Sequence, residues 1–246
     1  MDKLIYVAMS GATQTLDAQA ANSYNLANAS TSGFKADLTA FQTRAVTGPG
    51  YPSRAYATNG SVGWDTSNGV LVTTGNPLDV AVQGSGFIAV QDANGNEAYT
   101  RAGDLHVDPN GLLMTATGHQ VIGEDGPITI PPAATTTIGA DGSVSIVPMG
   151  QTPLSIAKVG RIKLVNPPPA AVQKGLDGLY RMSDGSTPPA DAGTTLASGV
   201  LESSNVNLPS CLVNMIELAR QFELQIKSLH TAEDDSASSS KLLQSS

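Results

Sequence analysis

The chain has 246 residues, enough for one large or two small domains, and its 25 Gly and 15 Pro far outnumber its aromatic residues, which make up 4% of the chain. So many turn formers with so few large rings predict many short strands rather than a thick helical core. The formal net charge is −8 and the Lys and Arg residues are scattered singly, which argues against a nucleic-acid-binding protein and against a basic membrane anchor.

The first predicted element is an N-terminal helix. Its apolar residues follow a 4-3-4 spacing on one narrow stripe: Ile5, Met9, Ala12, Leu16 and Leu26. A stripe this narrow is typical of a seam that two helices share, not of a helix lying on a globule. The helix is expected to end around residues 31–33, with Gly33 as the C′ residue.

Residues 4–9 of this segment are apolar, but they are fewer than the ~7–15 residues of a signal-peptide core. No apolar stretch approaches the ~20 residues that span a bilayer, so direct membrane insertion is not predicted. Export would then need a route without a cleaved signal. The single cysteine, Cys211, cannot form an internal disulfide and leaves the redox compartment open.

Residues 35–75 lose helical periodicity and contain repeated turn formers, such as Gly48-Pro49-Gly50 and Asn68-Gly69, so they predict an extended connector. Residues 76–202 differ, because short alternating runs are separated by hairpin dipeptides such as Asn94-Gly95 and Asp141-Gly142. That spacing predicts an antiparallel β-rich domain.

The last predicted element is a second helix within residues 203–246. Its apolar residues follow an uninterrupted 3-4-3-4-3 spacing: Leu212, Met215, Ala219, Phe222, Ile226 and Leu229. Pro209 fits its first turn, where a missing N–H matters least. The Ser-rich residues 236–240 are weak helix formers, expected to order only in an assembly.

The predicted fold class is therefore α+β. The N- and C-terminal helices form an α-helical, coiled-coil-like domain, and a central antiparallel β-rich domain and an extended connector lie between them. Two narrow stripes cannot fully bury each other, whereas helices from neighbouring subunits can complete the contact. This organisation predicts a helical assembly in which the chain ends gain order on docking.

One sequence imitates a dinucleotide-binding fingerprint. Gly84-Ser85-Gly86-Phe87-Ile88-Ala89 has the G-x-G-x-x-A spacing, and Asp104 lies twenty residues after Gly84. The fingerprint requires a helix after the glycines, whereas an apolar β run follows here. A hairpin turn is predicted instead, and no cofactor.

Metal and catalytic motifs are equally weak. Asp92, Asn94 and Asn96 resemble the start of a calcium loop, but Glu97 occupies the place of its glycine, so a turn is predicted. The three histidines are far apart and match no metal spacing. No nucleophile with a base and no paired carboxylates can be assigned, so neither an enzyme nor a small-molecule substrate is predicted.

Residues 25–35, Asn-Leu-Ala-Asn-Ala-Ser-Thr-Ser-Gly-Phe-Lys, resemble the N-terminal signature of the flagellar axial proteins, which build the rod and hook. Residues 76–90, 99–123, 199–207 and 215–225 are also similar to blocks of that family, in the expected order. Within the family, residues 1–9 and 123–131 resemble a proximal rod protein most.

The resemblance implies a structural subunit of the bacterial flagellar basal-body rod that polymerises through its terminal helices into a torque-transmitting drive shaft and export channel. Residues 1–34 and 203–246 would line the inner tube, residues 76–202 would face outward, and residues 35–75 would connect them. The expected partners are other copies of the chain, neighbouring rod proteins, and the flagellar type III export apparatus during secretion. The expected location is the periplasmic part of the basal body.

Two alternatives stay open: another axial protein of the distal rod or hook, or an extracellular β-rich binding module that oligomerises through its helices. No catalytic, cofactor-binding or metal-binding residue is predicted. The residues expected at the assembly interface are Ile5, Met9, Ala12, Leu16, Leu26, Asn28, Gly33, Phe34, Leu212, Met215, Ala219, Phe222, Ile226 and Leu229.

Overall fold

The structure, a computed structural model, describes residues 4–45, 55–150 and 155–244. A helix lies near each end and strands fill the interval, which confirms the predicted α+β class. The helices are α1 (Leu4–Ala27) and α2 (Leu208–Gln244), with a 3₁₀ turn at Pro169–Ala171. The strands are β1 (Asp37–Ala45), β2 (Ala55–Trp64), β3 (Leu71–Thr73), β4 (Val80–Gln83), β5 (Phe87–Gln91), β6 (Glu97–Thr100), β7 (Leu105–Val107), β8 (Leu113–Thr115), β9 (Gln120–Gly123), β10 (Gly126–Pro127), β11 (Ala133–Ile138), β12 (Ser143–Pro148), β13 (Ala157–Arg161), β14 (Leu164–Val165), β15 (Val172–Lys174), β16 (Tyr180–Met182), β17 (Thr195–Ser198) and β18 (Val200–Glu202).

The chain forms two compact units. The helical unit comprises the described residues of 1–27, 37–63 and 207–246, and the β unit comprises residues 28–36 and the described residues of 64–206. These units cut the chain differently from the predicted boundaries, since β1 and β2 form a sheet with each other inside the range expected to be a connector. The functional division into inner-tube, connector and outer parts stays a prediction.

In the helical unit, α1 and α2 run antiparallel. Asn22 near the end of α1 donates its side-chain amide to the carbonyl oxygen of Cys211 near the start of α2 (2.8 Å), while Gly11 lies against Gln225. Asn207 caps α2 by accepting the backbone N–H of Ser210 (3.0 Å), which satisfies one otherwise unpaired donor. Pro209 lies in the first turn as predicted, and α2 continues through the Ser-rich segment.

The contact between the helices uses a different face of α1 from the predicted stripe. Its buried residues are Ala8, Ala12, Thr15, Ala18, Asn22 and Asn25. With Gly11 they follow a heptad spacing that precedes the predicted stripe by one residue, and only Ala12 belongs to both. Small side chains let two helix axes approach closely, so Ala, Gly and Thr occupy the seam while Met9 and Leu16 lie outside it.

The β unit confirms the predicted antiparallel sheet. Its largest sheet has the order β15-β16-β6-β5-β9-β8-β7 within the described residues, with β10 beside β9 and β14 beside β5. Strands β11-β12-β13 form a second sheet, and the pairs β17-β4 and β18-β3 complete the unit. An aliphatic core that includes Val80, Val90, Leu113 and Val144 lies beside an aromatic cluster of Trp64, Phe87 and Tyr180.

Three local predictions have definite outcomes. The turn at Asp92 is confirmed, because its carboxylate accepts the backbone N–H groups of Asn94 and Asn96 (both 2.9 Å) and closes the β5–β6 hairpin. A strand rather than a helix does follow Gly84–Gly86, but the predicted hairpin is wrong. Strand β4 pairs with β17, whereas β5 pairs with β6, β9 and β14, so the glycines connect two different sheets.

The predicted end of α1 is also wrong, because the helix ends at Ala27 rather than at residues 31–33. A turn follows, in which the carbonyl of Asn28 accepts the N–H of Thr31 (3.1 Å), and Asn favours such turns. Gly33 does have a positive φ of 66°, but its N–H donates to Glu202 and not to a carbonyl of the helix. Among the described residues, no helix is long and apolar enough to cross a membrane.

Candidate assembly surfaces and a buried ion cluster

One face of α2 exposes large apolar side chains. This face, called the α2 stripe, consists of Leu208, Leu212, Val213, Ile216 and Leu224. Leu208, Leu212, Ile216 and Leu224 follow four-residue steps, with Arg220 in the remaining place. Each step turns about 40° around the axis, so these side chains spread over a broad outer face of the helix. Ile216 is 56% exposed and Leu224 is 65% exposed. A group of exposed large apolar side chains on a helix surface is typical of a protein–protein contact.

A shorter exposed face lies on α1, where Tyr6, Met9 and Leu16 are each about half exposed. The predicted interface residues therefore divide into two groups. Those exposed in the helical unit are Met9, Leu16, Leu212 and Ala219, and those buried or half-buried there are Ile5, Ala12, Leu26, Met215, Phe222, Ile226 and Leu229. The heptad pattern did not identify Tyr6, Val213, Ile216 and Leu224, although their size was a visible signal.

The remaining predicted interface residues lie in the β unit. Asn28 is half-buried, whereas Gly33 and Phe34 are buried. The ammonium of Lys174 lies 3.8 Å from the centre of the Phe34 ring, a cation–π contact. Gly33 and Phe34 thus make internal contacts of the chain, and their part in assembly stays a prediction.

The β unit exposes one apolar segment, Val70, Leu71 and Val72, at the free edge of β3. Ser203 donates its N–H to the carbonyl of Val70, and Thr74 donates to Gly199, so the even-numbered residues pair with β18. The backbone groups of Leu71 and Thr73 then point away from β18. Within the described residues no strand pairs with that edge.

Three charged side chains meet in the interior of the β unit. The side chains of Lys35 and Glu202 are 1% exposed and that of Arg101 is 2% exposed. The Lys35 ammonium contacts one carboxylate oxygen of Glu202 at 2.7 Å, and the Arg101 guanidinium contacts the other at 2.6 Å. Two cations therefore share one carboxylate, and the cluster has a net charge of +1.

Backbone oxygens solvate the excess positive charge. Arg101 donates to the carbonyls of Val82 (3.1 Å), Gly84 (2.9 Å) and Gly86 (2.7 Å), and Lys35 donates to the carbonyl of Ser67 (2.6 Å). These bonds replace the water that the cations lose on burial. Burial still lowers the pKa of Lys35 below its ordinary value of 10.5, and the hydrogen bond to Glu202 opposes that shift.

Lys35, Arg101 and Glu202 lie in three separate sequence blocks that resemble the axial family, and no sequence spacing connects them. A usable signal was present, because only 14% of the chain is charged and each block contains one of these charges. What sequence spacing could not give is their contact, because β-sheet pairing brings residues 35, 101 and 202 together from distant parts of the chain.

A half-buried carboxylate, Asp104, has a buried oxygen without a hydrogen-bond partner among the described residues. No donor among the described residues contacts its Oδ1 atom. Burial raises the pKa of Asp104 above its ordinary value of 3.8, and the nearby Asp79 raises it further, while His106 opposes the shift. A raised carboxyl pKa means that the ionised form, present at neutral pH, costs folding free energy.

We therefore expect Asp104→Asn to stabilise the protein at pH 7, by at most about 1 kcal/mol because partial exposure screens the charge. The gain should vanish as the pH falls below about 4, where the wild-type carboxyl is protonated in both folded and unfolded chains. Urea unfolding at pH 7 and pH 3.5 measures both values. A destabilised variant at pH 7 would show that the carboxylate has a partner in solution.

Three family models match successive parts of the chain. "Flagella basal body rod protein" matches residues 5–35, "Flagellar hook protein FlgE/F/G D1 domain" matches residues 81–146, and "Flagellar basal body rod FlgEFG protein C-terminal" matches residues 197–242. Each matched region contributes one member of the ion cluster: Lys35, Arg101 and Glu202, respectively.

Curated relatives match almost the whole chain. The flagellar basal-body rod protein FlgF of Escherichia coli K12 is 44% identical over 99% of both chains, and FlgF of Salmonella typhimurium is 43% identical over the same shares. The rod protein FlgG of Buchnera aphidicola from Schizaphis graminum is 37% identical over 89% of this chain and 92% of the relative. This chain therefore belongs to the flagellar basal-body rod protein family, whose members are structural subunits and not enzymes.

Proposed function

We propose that this chain is a subunit of the proximal rod, which polymerises through its two terminal helices. The helices form a coiled-coil-like inner-tube domain with those of neighbouring subunits, and the β unit faces outward. The partners are further copies of the chain and the rod proteins above and below it. The likeness to proteins named FlgF supports the proximal position.

The observation behind this proposal is the exposed α2 stripe. The antiparallel α1 buries its small-residue face against α2 and leaves Leu212, Ile216 and Leu224 in water. Fully burying an exposed Leu or Ile side chain contributes ~1.5–3 kcal/mol. These side chains are about half exposed, so covering the stripe with a neighbour's helix supplies roughly half of that for each residue, which favours assembly. A binding module that acts as a monomer would have no need for such a row, whereas one that oligomerises through its helices would share it, and the basal-body test below separates that alternative.

We also propose that the flagellar export apparatus delivers the chain unfolded to the periplasmic part of the basal body. A subunit that passes a narrow channel must unfold readily, and a single cysteine forms no internal crosslink that would prevent it. Small residues in the α1 seam bury little apolar surface, which keeps the helical unit easy to unfold before docking.

The test is the composition of basal bodies purified from the native bacterium. After the hooks and filaments are sheared off, mass spectrometry should still find this chain, crosslinked to other rod proteins. Deletion of its gene should leave basal bodies without a completed rod, and cells that do not swim. If the chain leaves with the sheared hooks, it is a hook protein, and if purified basal bodies lack it altogether, the binding-module alternative replaces this proposal.

A further inference from the structure

The two segments that join the terminal helices to the β unit lie side by side. The incoming segment (residues 33–36) follows α1 in the chain, and the outgoing segment (residues 202–205) precedes α2. Gly33 donates its N–H to the carbonyl of Glu202 (2.8 Å), and Asn205 donates its N–H to the carbonyl of Phe34 (3.2 Å). The residue numbers of both segments increase from the first bond to the second, so the two segments run parallel.

Side chains reinforce this pairing from within. Lys35 of the incoming segment contacts Glu202 of the outgoing segment at 2.7 Å, with both side chains almost fully buried. The side-chain oxygen of Asn205 accepts the N–H of Ala36 (2.7 Å). Arg101 binds the other oxygen of Glu202 and three carbonyls around β4 and β5, which anchors the outgoing segment to the sheets.

Parallel pairing determines how a pulling force would act. Tension from the two helices acts on the N-terminal end of the incoming segment and on the C-terminal end of the outgoing segment. In parallel segments these two ends lie at opposite ends of the paired stretch, so the force shears all the connecting bonds at once instead of opening them one by one. While the bonds hold, force passes directly between the segments and does not reach the 165 or so residues between them.

We propose that Lys35, Glu202 and Asn205 form a mechanical clamp that protects the β unit from tension between the chain's two ends. Glu202 is the central positioning residue, because its carboxylate binds Lys35 and Arg101 and its carbonyl binds Gly33. The use of this clamp in a rotating shaft rests on the proposed function, whereas the clamp itself is a property of the isolated chain.

A buried ion pair suits such a clamp because it is costly to break. An ion pair in the interior adds little net stability over apolar packing, but breaking one is costly because unpaired charges then remain in a dry site. A clamp made in this way opposes partial separation of the segments more strongly than it stabilises the folded chain. The excess positive charge also means that either cation can be removed while a neutral pair remains.

The test pulls single molecules of the full chain along two axes. In a Cys211→Ala background, handles attached at Ser30→Cys and Leu208→Cys load the clamp, and handles at Asp125→Cys and Thr187→Cys load exposed turns of the β unit away from it. The variant is Lys35→Met, which leaves the Arg101–Glu202 pair neutral and intact. Its unfolding rate along the first axis should rise roughly 10- to 100-fold, as expected for one buried charge-assisted hydrogen bond.

Along the second axis the rate should change less than about threefold, because that force does not shear the clamp. Equal acceleration along both axes would show a general loss of stability and overturn the proposal, as would an unchanged rate along the first axis.

Asn205→Ala is a second variant for the case in which Lys35→Met does not fold, since Asn205 is only half-buried. It should give the same difference between the axes. No flagellar component takes part, so failure here leaves the rod assignment to its own test.

Discussion

Replacing Glu202 with Gln is expected to lower the free energy of unfolding by about 3–5 kcal/mol, the usual effect of removing one partner from a buried ion pair. The neutral amide of Gln cannot balance the charges of Lys35 and Arg101, which each contact a different oxygen of the Glu202 carboxylate in the wild type. Two cations then face each other in a site closed to water. For a chain of this length we expect the melting temperature of the β unit to fall by about 10 °C.

The loss should depend on pH in a definite direction. Burial already lowers the pKa of Lys35, so the folded chain releases this proton more readily than the unfolded chain. Stability therefore rises with pH between the lowered pKa and the ordinary value of 10.5. Without Glu202 the main opposing interaction is gone, so the variant should recover part of its stability at pH 9–10 by making Lys35 neutral.

A matched control is Glu124→Gln, the same chemical change in an exposed pair. Glu124 lies 3.2 Å from Arg161, with both side chains roughly a third exposed or more. Exposed pairs contribute about 0–1 kcal/mol, so this variant should unfold almost as the wild type does. Thermal unfolding followed by circular dichroism measures all three proteins. Similar losses for both variants would mean that solvent reaches the cluster around Glu202.

The ion cluster could not be predicted from the sequence, although the helices and the β-rich interval could. Periodicity located both helices and the β-rich interval, because helix and strand periods are local properties of the chain. The contact between Lys35 and Glu202 depends instead on sheet order, which joins residues 167 positions apart. The hairpin predicted at Gly84–Gly86 was wrong for the same reason, since turn chemistry does not say which strands will pair.

The helix seam shows a subtler limit. The spacing of the large apolar residues placed the α1 contact on Met9 and Leu16, whereas the structure buries Ala8 and Thr15, each one position earlier in the chain. Helix pairs choose the face that permits close approach, and that face need not contain the largest side chains. On α2 the predicted stripe includes Met215, Phe222 and Leu229, which are half-buried in the helical unit, and Leu212 and Ala219, which are exposed. The prediction there combined residues of the internal seam with residues of the outer surface.

Ile216→Asp should separate the role of α2 in assembly from its role in the fold of the subunit. We expect it to block incorporation into the rod while leaving the monomer's melting temperature unchanged. Ile216 is 56% exposed on the α2 stripe and has no part in the α1 seam. A carboxylate buried against a neighbour's apolar helix would cost about 2 kcal/mol or more at every subunit contact, and a helical assembly repeats that contact. Swimming in soft agar and the amount of chain in purified basal bodies measure incorporation.

Phe222→Asp should behave differently, because Phe222 is half-buried on the face of α2 that includes Met215 and Leu229. We expect it to block incorporation and also to destabilise the helical unit by about 2 kcal/mol, with the β unit still folded. Asn214→Asp adds the same charge at an exposed polar position of α2 and should assemble normally. If the Ile216→Asp chain enters basal bodies as well as the Asn214→Asp chain does, the α2 stripe is not the assembly surface. If the Ile216→Asp chain instead has a lowered melting temperature, as Phe222→Asp should, Ile216 stabilises the fold of the subunit. The exposure of the α2 stripe would then not be explained by polymerisation.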